Sequence, residues 1–179
     1  MKNNMKGFTL IELLVALGLS AMVISLVIYF FIVSLKSYKS VKNQSELQFQ
    51  TQYILNFMSN KIMSSESIAL VKKDELNQYS LIASRQPAIE MSANKIAFKY
   101  GEETSENYVF HIVGNDIRYG CGYSDMKPTV ELGSYVKNMF ISLINEGALK
   151  DTNVIKIRLV LEKGNCTYEA VQVVCMRNY

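Results

Sequence analysis

One apolar stretch near the amino terminus dominates the hydrophobic pattern of this chain. From Phe8 to Val33 it contains 26 residues and one charged residue, Glu12. A helix needs about 20 consecutive apolar residues to cross a hydrocarbon core. The stretch therefore predicts a transmembrane helix. It also places one carboxylate where lipid penalises an ionised group that has no partner.

The polar residues that follow Val33 continue the helical pattern. Neither Pro nor Gly occurs from residue 34 to residue 65, so we expect the same helix to run on to about Met63. Apolar residues at helical spacing, widened by Phe57, predict a face that docks on a folded domain. This stripe consists of Leu47, Ile54, Met58 and Ile62.

From Ser64 onward, short β-like runs alternate with turns. The predicted strands are 67–71, 79–84, 95–100, 107–113, 117–123, 138–144, 154–162 and 167–176, and the run 130–135 is ambiguous. Their spacing is typical of hairpins in an antiparallel sheet. We therefore predict an α+β fold, in which one long amino-terminal helix packs its distal half on a sheet of four to seven strands.

The start of the apolar stretch carries a specific motif. A short basic leader, MKNNMKG, precedes FTLIE and the apolar run. This pattern resembles the class III signal of type IV pilins and type II secretion pseudopilins. The resemblance implies that a prepilin peptidase cuts between Gly7 and Phe8 and methylates the new amino group of Phe8. It also implies that Glu12 of an incoming subunit meets the amine of its neighbour in a filament.

Two other interpretations of Glu12 remain open. Along one helix, the Phe8 amine and Glu12 are about 6 Å apart, so a single subunit could pair its own charges. In an ordinary signal anchor, Glu12 would only mark the membrane boundary. A cleaved secretory signal fits less well, because its apolar region spans about 7–15 residues.

The resemblance also implies a division of the chain and an orientation. The segments are a leader at 1–7, a transmembrane or filament-core helix at 8–33, its amphipathic continuation at 34–63 and a β-rich head at 64–179. Lysines flank both ends of the apolar stretch, so charge alone leaves the orientation open. The pilin pattern implies a cytoplasmic amino terminus in a single-pass membrane protein. The head would lie outside and move to a cell-surface or periplasmic filament on assembly.

The carboxy-terminal segments narrow the resemblance. SYVKNMFISLI, IKIRLVLEKG and the ending MRNY are similar to the tail of J-type minor pseudopilins and related minor pilins. Such subunits prime filament assembly. The implied partners are the prepilin peptidase, other pilins or pseudopilins, an inner-membrane assembly platform and membrane lipid. A monomeric membrane-anchored surface protein with a binding head is the alternative.

Charge and chemistry exclude several other functions. Of the 19 basic residues, Lys2 and Lys6 lie in the leader, which leaves 17 against 16 acidic residues. We therefore expect no direct binding of nucleic acid. His111 is the single histidine, and a packed or surface role is favoured for it over a ligand role. Because no catalytic, phosphate-binding or metal-binding motif occurs, we predict no enzymatic activity, no cofactor and no metal.

The three cysteines permit one geometric prediction. If Cys166 and Cys175 share a strand, they lie about 30 Å apart, whereas a disulfide needs Cα atoms within about 7 Å. Any disulfide would then join Cys121 to Cys166 or to Cys175 and leave one free thiol. The alternative is three unpaired cysteines.

Overall fold

The fold is one long helix followed by antiparallel strands, an α+β, pilin-like layout that confirms the predicted class. It is seen in a computed structural model, which describes residues 8–74, 77–79, 84–85, 90–100, 106–144, 147–149 and 152–177. The chain divides between Lys42 and Asn43 into two compact units.

The helix α1 runs from Leu10 to Met63, as the absence of Pro and of clustered Gly predicts. In the first unit, every described residue from 8 to 42 is exposed. By length and composition, α1 is apolar enough to cross a membrane. An apolar surface of this length that is exposed along all its sides suits contact with lipid or with other helices.

In the second unit, α1 buries one face. Leu47, Ile54, Met58 and Ile62 are all fully buried, which confirms the predicted stripe. Helix positions beside the stripe are buried too, because the apolar face of a packed helix is at least 100° wide. These are Thr51, Leu55 and Ser59.

Eleven strands follow within the described residues. They are β1 (Ser67–Lys72), β2 (Ser84–Arg85), β3 (Met91–Ser92), β4 (Lys95–Lys99), β5 (Asn107–Val113), β6 (Asp116–Gly122), β7 (Val130–Gly133), β8 (Val136–Leu143), β9 (Gly147–Ala148), β10 (Val154–Lys163) and β11 (Cys166–Cys175). The ambiguous run 130–135 contains the strand β7. Of the predicted strand 79–84, residues 80–83 lie outside the described part of the chain.

The strands form more than one sheet, which corrects the prediction of a single sheet. A five-stranded sheet has the order β1-β4-β5-β6-β7, a four-stranded sheet has the order β11-β10-β8-β3, and β2 pairs with β9. All pairings are antiparallel. The strand β3 belongs to the four-stranded sheet, the chain then adds β4 to β7 to the five-stranded sheet, and it returns to the four-stranded sheet at β8.

The two-residue connection between β7 and β8 explains this division. Tyr135 has a φ of 67°, a left-handed conformation that bends the chain sharply. Its carbonyl accepts a hydrogen bond from the Glu162 amide at 2.8 Å, and the next amide, of Val136, donates to the Asn115 carbonyl at 2.8 Å. Since these bonds tie the bend to the turn between β5 and β6 and to the last residues of β10, β8 cannot continue alongside β7.

One buried apolar cluster joins the distal part of α1 to both larger sheets. Phe98 and Phe110 pack edge to face within it, with ring centroids 6.3 Å apart. The strand β7 approaches α1 so closely that a Cβ atom added to Gly133 would lie 2.8 Å from Ile54 Cδ1. Beyond β11, the Arg177 amide donates to the Met63 carbonyl at 3.0 Å, which fixes the carboxy-terminal segment at the end of the helix.

Candidate functional site

The first turn of α1 is closed by a reciprocal contact between Thr9 and Glu12. The amide and the hydroxyl of Thr9 each donate a hydrogen bond to Glu12 Oε2 at 2.9 Å. The Glu12 amide donates to Thr9 Oγ1 at 3.3 Å. Helix amino termini leave several amides without partners, and this arrangement, a capping box, satisfies two of them. Thr9 is therefore the N-cap of the membrane-type helix.

The same contact fixes the orientation of the Glu12 carboxylate. Both Thr9 bonds end on Oε2, and Oε1 accepts no hydrogen bond from any residue in the described part of the chain. An ionised carboxylate has room for about four donors. The positive end of the helix dipole also favours a negative charge at this position. The site can thus receive one more cationic donor without losing its cap.

Phe8 precedes the cap and is 88 % exposed. Its position next to Thr9 brings a large apolar side chain and the Glu12 carboxylate to the same end of the helix. Gly7, the other residue of the predicted cleavage site, lies outside the described residues.

The polar side chains that follow in the apolar segment are satisfied within the helix. Ser20 Oγ donates to the Ala16 carbonyl at 2.8 Å, and Ser25 Oγ donates to the Met22 carbonyl at 2.7 Å. A polar group without a partner is costly in a hydrocarbon environment, and these bonds spare the two serines that cost. Glu12 is the one charged residue of the segment. The two serines also permit close approach of a second helix.

Residues 2–28 match a family model described as the prokaryotic N-terminal methylation motif. The motif indicates a member of the type IV pilin superfamily. It spans residues 2–7 of the leader, the predicted cleavage position, Glu12 and most of the apolar stretch, up to residue 28. No curated protein and no solved structure matches the chain.

The prepilin motif has three direct implications. It implies processing by a prepilin peptidase and assembly with other pilins. It points to a structural subunit rather than an enzyme. Together with the amino-terminal apolar helix, it fits a single-pass, membrane-anchored protein.

Sequence reasoning missed one residue of this site, Thr9. The signal was present, since Thr9-Leu10-Ile11-Glu12 has the T-x-x-E spacing of a capping box directly before an apolar run. The sequence interpretations of Glu12, as a charge that pairs with an amine or as a marker of the membrane boundary, did not include a helix cap. The structure adds that the carboxylate already has a local partner in its own chain.

The cysteines lie far from this site in sequence and belong to the second unit. Cys166 and Cys175 stand at the two ends of β11, and Cys121 lies on β6. All three are free thiols in the structure. The pairing of Cys121 with Cys166 or Cys175 stays a prediction.

Histidine and metal chemistry are the remaining sequence predictions. His111 lies half-buried on β5. Among the residues that the structure describes, no group of three His, Cys, Asp or Glu side chains is placed to hold a metal ion.

Proposed function

We propose that this chain is a minor pilin or pseudopilin that primes or takes part in assembly of a type IV pilus, a competence pilus or a type II secretion pseudopilus. The observation that carries the proposal is the match to the N-terminal methylation motif over residues 2–28. The prepilin peptidase cuts between Gly7 and Phe8 and methylates the freed amine of Phe8. Glu12 then becomes the fifth residue of the mature chain.

Assembly depends on the charges that processing creates. The methylated amine of Phe8 is a cation at the end of an apolar helix, and Glu12 of an incoming subunit pairs with the amine of its neighbour. Either charge alone in a low-dielectric environment is strongly penalised. The free acceptor position of Oε1 supports this pairing, because the neighbour's amine can bind there while Thr9 keeps Oε2.

The proposed segments follow from this role. The leader is 1–7, the transmembrane and filament-core helix is 8–33, its amphipathic continuation is 34–63, and the head is 64–179. The amino terminus faces the cytoplasm, and the head lies outside before the subunit moves from the bilayer into the filament. The subunit contacts membrane lipid first, then the inner-membrane assembly platform and other pilins.

A minor rather than a major role is supported by the carboxy-terminal strands. SYVKNMFISLI includes β8, IKIRLVLEKG includes most of β10, and MRNY follows β11; these are the sequences that resemble J-type minor pseudopilins and related minor pilins. Priming subunits of that type act with partner minor pilins.

The experiment that tests the proposal replaces Glu12 by Leu in the full chain, expressed with its own assembly machinery. We expect Glu12→Leu to remain in the membrane fraction and to disappear from sheared filaments, as measured by immunoblotting. Glu46→Gln is the matched control, because it removes a carboxylate from the same helix outside the apolar segment and leaves an amide oxygen that can still accept the hydrogen bond from Lys163 Nζ. That variant should assemble normally.

The alternative, a monomeric membrane-anchored surface protein, predicts a different outcome. Its helix never leaves the bilayer, so Glu12→Leu would insert as well as the wild type or better. Equal amounts of Glu12→Leu and wild type in the filament fraction would refute the assembly role of this acid. Absence of the wild-type chain from filaments in a piliated cell would favour the monomeric anchor.

A further inference from the structure

A row of directly opposed residues crosses the five-stranded sheet from β1 to β7. Directly opposed residues of antiparallel strands project from the same face of a sheet. The pairs are Lys72 with Lys95, Lys95 with His111, His111 with Arg118, and Arg118 with Glu131. Three cations and an imidazole therefore stand side by side before the row ends at an acid.

Such a row is unfavourable without anions. Like charges directly opposite each other destabilise a sheet, and a buried charge without a partner is costlier still. Lys95 is only 6 % exposed. The buried Nε atom of Arg118 has no hydrogen-bond partner among the described residues. The charged row thus includes a lysine and an arginine atom that are largely shielded from solvent.

One carboxylate of the same chain lies over part of this row. Asp125 Oδ1 accepts hydrogen bonds from Lys72 Nζ at 2.7 Å and from Lys95 Nζ at 3.2 Å. The Asp125 side chain itself is 75 % exposed. The hydrogen bond from Lys72, followed by that from Lys95, holds the pKa of Asp125 below its usual value. One oxygen of an exposed carboxylate thus accepts hydrogen bonds from two ammonium groups.

Apolar contacts hold the segment that carries Asp125, independently of the ion pairs. A Cβ atom added to Gly120 on β6 would lie 2.8 Å from Met126 Cε and 3.1 Å from Pro128 Cβ. Pro128 is buried. The segment therefore lies directly on the backbone of β6, and only a residue without a side chain fits beneath it.

Beside Asp125 a cavity of about 400 Å³ opens over the row. It is lined by Lys72, Asp74, Asn94, Lys95, His111, Asp125 and Lys127. Asp74 is bound locally, since it accepts hydrogen bonds from the amide and the side-chain amide of Asn77 at 2.7 and 2.8 Å. The lining therefore offers three ammonium groups against two carboxylates, one of which has local donors of its own.

We infer that this cavity, the outer-face pocket, binds an oxyanion, either a carboxylate or a phosphate group. When no such ligand is bound, the Asp125 carboxylate takes its place on Lys72 and Lys95. The incoming group takes the position of the exposed Asp125 carboxylate on Lys72 and Lys95. Lys127 stands at the rim and adds a third cation. This role is separate from filament assembly, which uses the other unit of the chain.

Titration calorimetry on the full chain in non-ionic detergent tests the inference, with citrate and inorganic phosphate as the two probes at constant ionic strength. Asp125→Asn removes the internal competitor, so we expect it to bind one of the probes roughly tenfold more tightly than the wild type. Binding of citrate alone identifies a carboxylate ligand, and binding of phosphate alone identifies a phosphate ligand. Either result supports the inference.

Two further variants keep the experiment decisive. Glu162→Gln is the matched control, because Glu162 also pairs with a lysine, Lys137, but lies outside the pocket. This variant should bind the probes as the wild type does. Lys127→Gln changes an exposed residue of the rim and should weaken binding, which gives a result even if Asp125→Asn does not fold. If neither probe binds to any of the folded proteins, or if Lys127→Gln and Glu162→Gln weaken binding equally, the inference is overturned.

Discussion

Thr9 and Glu12 hold each other at the first turn of α1 through three hydrogen bonds. Both bonds to the carboxylate end on Oε2. The proposed contact with a neighbour's amine needs one acceptor position, and Oε1 provides it. The cap and the assembly contact are therefore compatible, and the cap fixes the direction in which the acid faces its partner.

Replacement of Thr9 by Ala removes the cap and leaves the acid in place. Loss of a threonine N-cap costs about 1 kcal/mol, so amides of the first turn of α1 should exchange with solvent roughly fivefold faster. Thr9→Ser keeps the hydroxyl and should exchange as the wild type does. Amide exchange measured by NMR on the full chain in micelles checks this. Equal rates in Thr9→Ala and the wild type would show that the cap does not stabilise the turn.

The close approach of β7 to α1 makes Gly133 sensitive to a single methyl group. A Cβ atom there would lie 2.8 Å from Ile54 Cδ1 and 2.9 Å from Gln50 Oε1. Overpacking of this kind costs about 1–3 kcal/mol, so Gly133→Ala should lower the free energy of unfolding by that amount. Urea denaturation of the full chain in detergent, followed by circular dichroism, measures it.

A second substitution separates steric crowding from other effects at Gly133. Ile54→Val removes the Cδ1 atom that the new methyl group would meet. The double variant should therefore be more stable than the sum of the two single changes predicts. Strict additivity would contradict the crowding.

The helix and the amino-terminal motif could be predicted from sequence because their signals are local. An uninterrupted apolar run and the spacing of Leu47, Ile54, Met58 and Ile62 determine a helix and its buried face without reference to the rest of the chain. The hairpins of β5 with β6 and of β10 with β11 were predicted for the same reason, since their turns are adjacent in sequence.

Features that join distant parts of the chain could not be predicted in this way. The division into two larger sheets depends on the left-handed conformation of Tyr135, a residue type that rarely adopts it. The basic row depends on the register of five strands, and a shift of one residue would move each side chain to the opposite face. The position of Asp125 depends on a close approach to the backbone of Gly120.

The lysine contacts of Asp125 predict a specific dependence of stability on pH. Its pKa is lowered in the folded protein, so its contribution is fully present above the ordinary aspartate pKa of about 3.9. That contribution is lost as the pH falls through the lower, folded-state value. The urea midpoint of the wild type should therefore fall more steeply than that of Asp125→Asn when the pH is reduced from about 6 to about 3. Parallel curves would show that the lysine contacts do not stabilise the folded chain.

The positions of the cysteines predict which disulfide is absent. Cys166 and Cys175 are at opposite ends of the ten-residue strand β11, which places them about 30 Å apart. A peptide map of the non-reduced protein should therefore contain no peptide that links these two residues within one chain. Detection of such a link in monomeric protein would contradict the pairing of β10 with β11.

The measurement that tests the central claim most directly is the mass of the amino-terminal peptide of the mature protein. The material should come from cells in which the prepilin peptidase is active. We predict a peptide that begins at Phe8 and carries one additional methyl group on its amino terminus. A peptide that still contains the leader, residues 1–7, would contradict the assignment of this chain as a filament subunit.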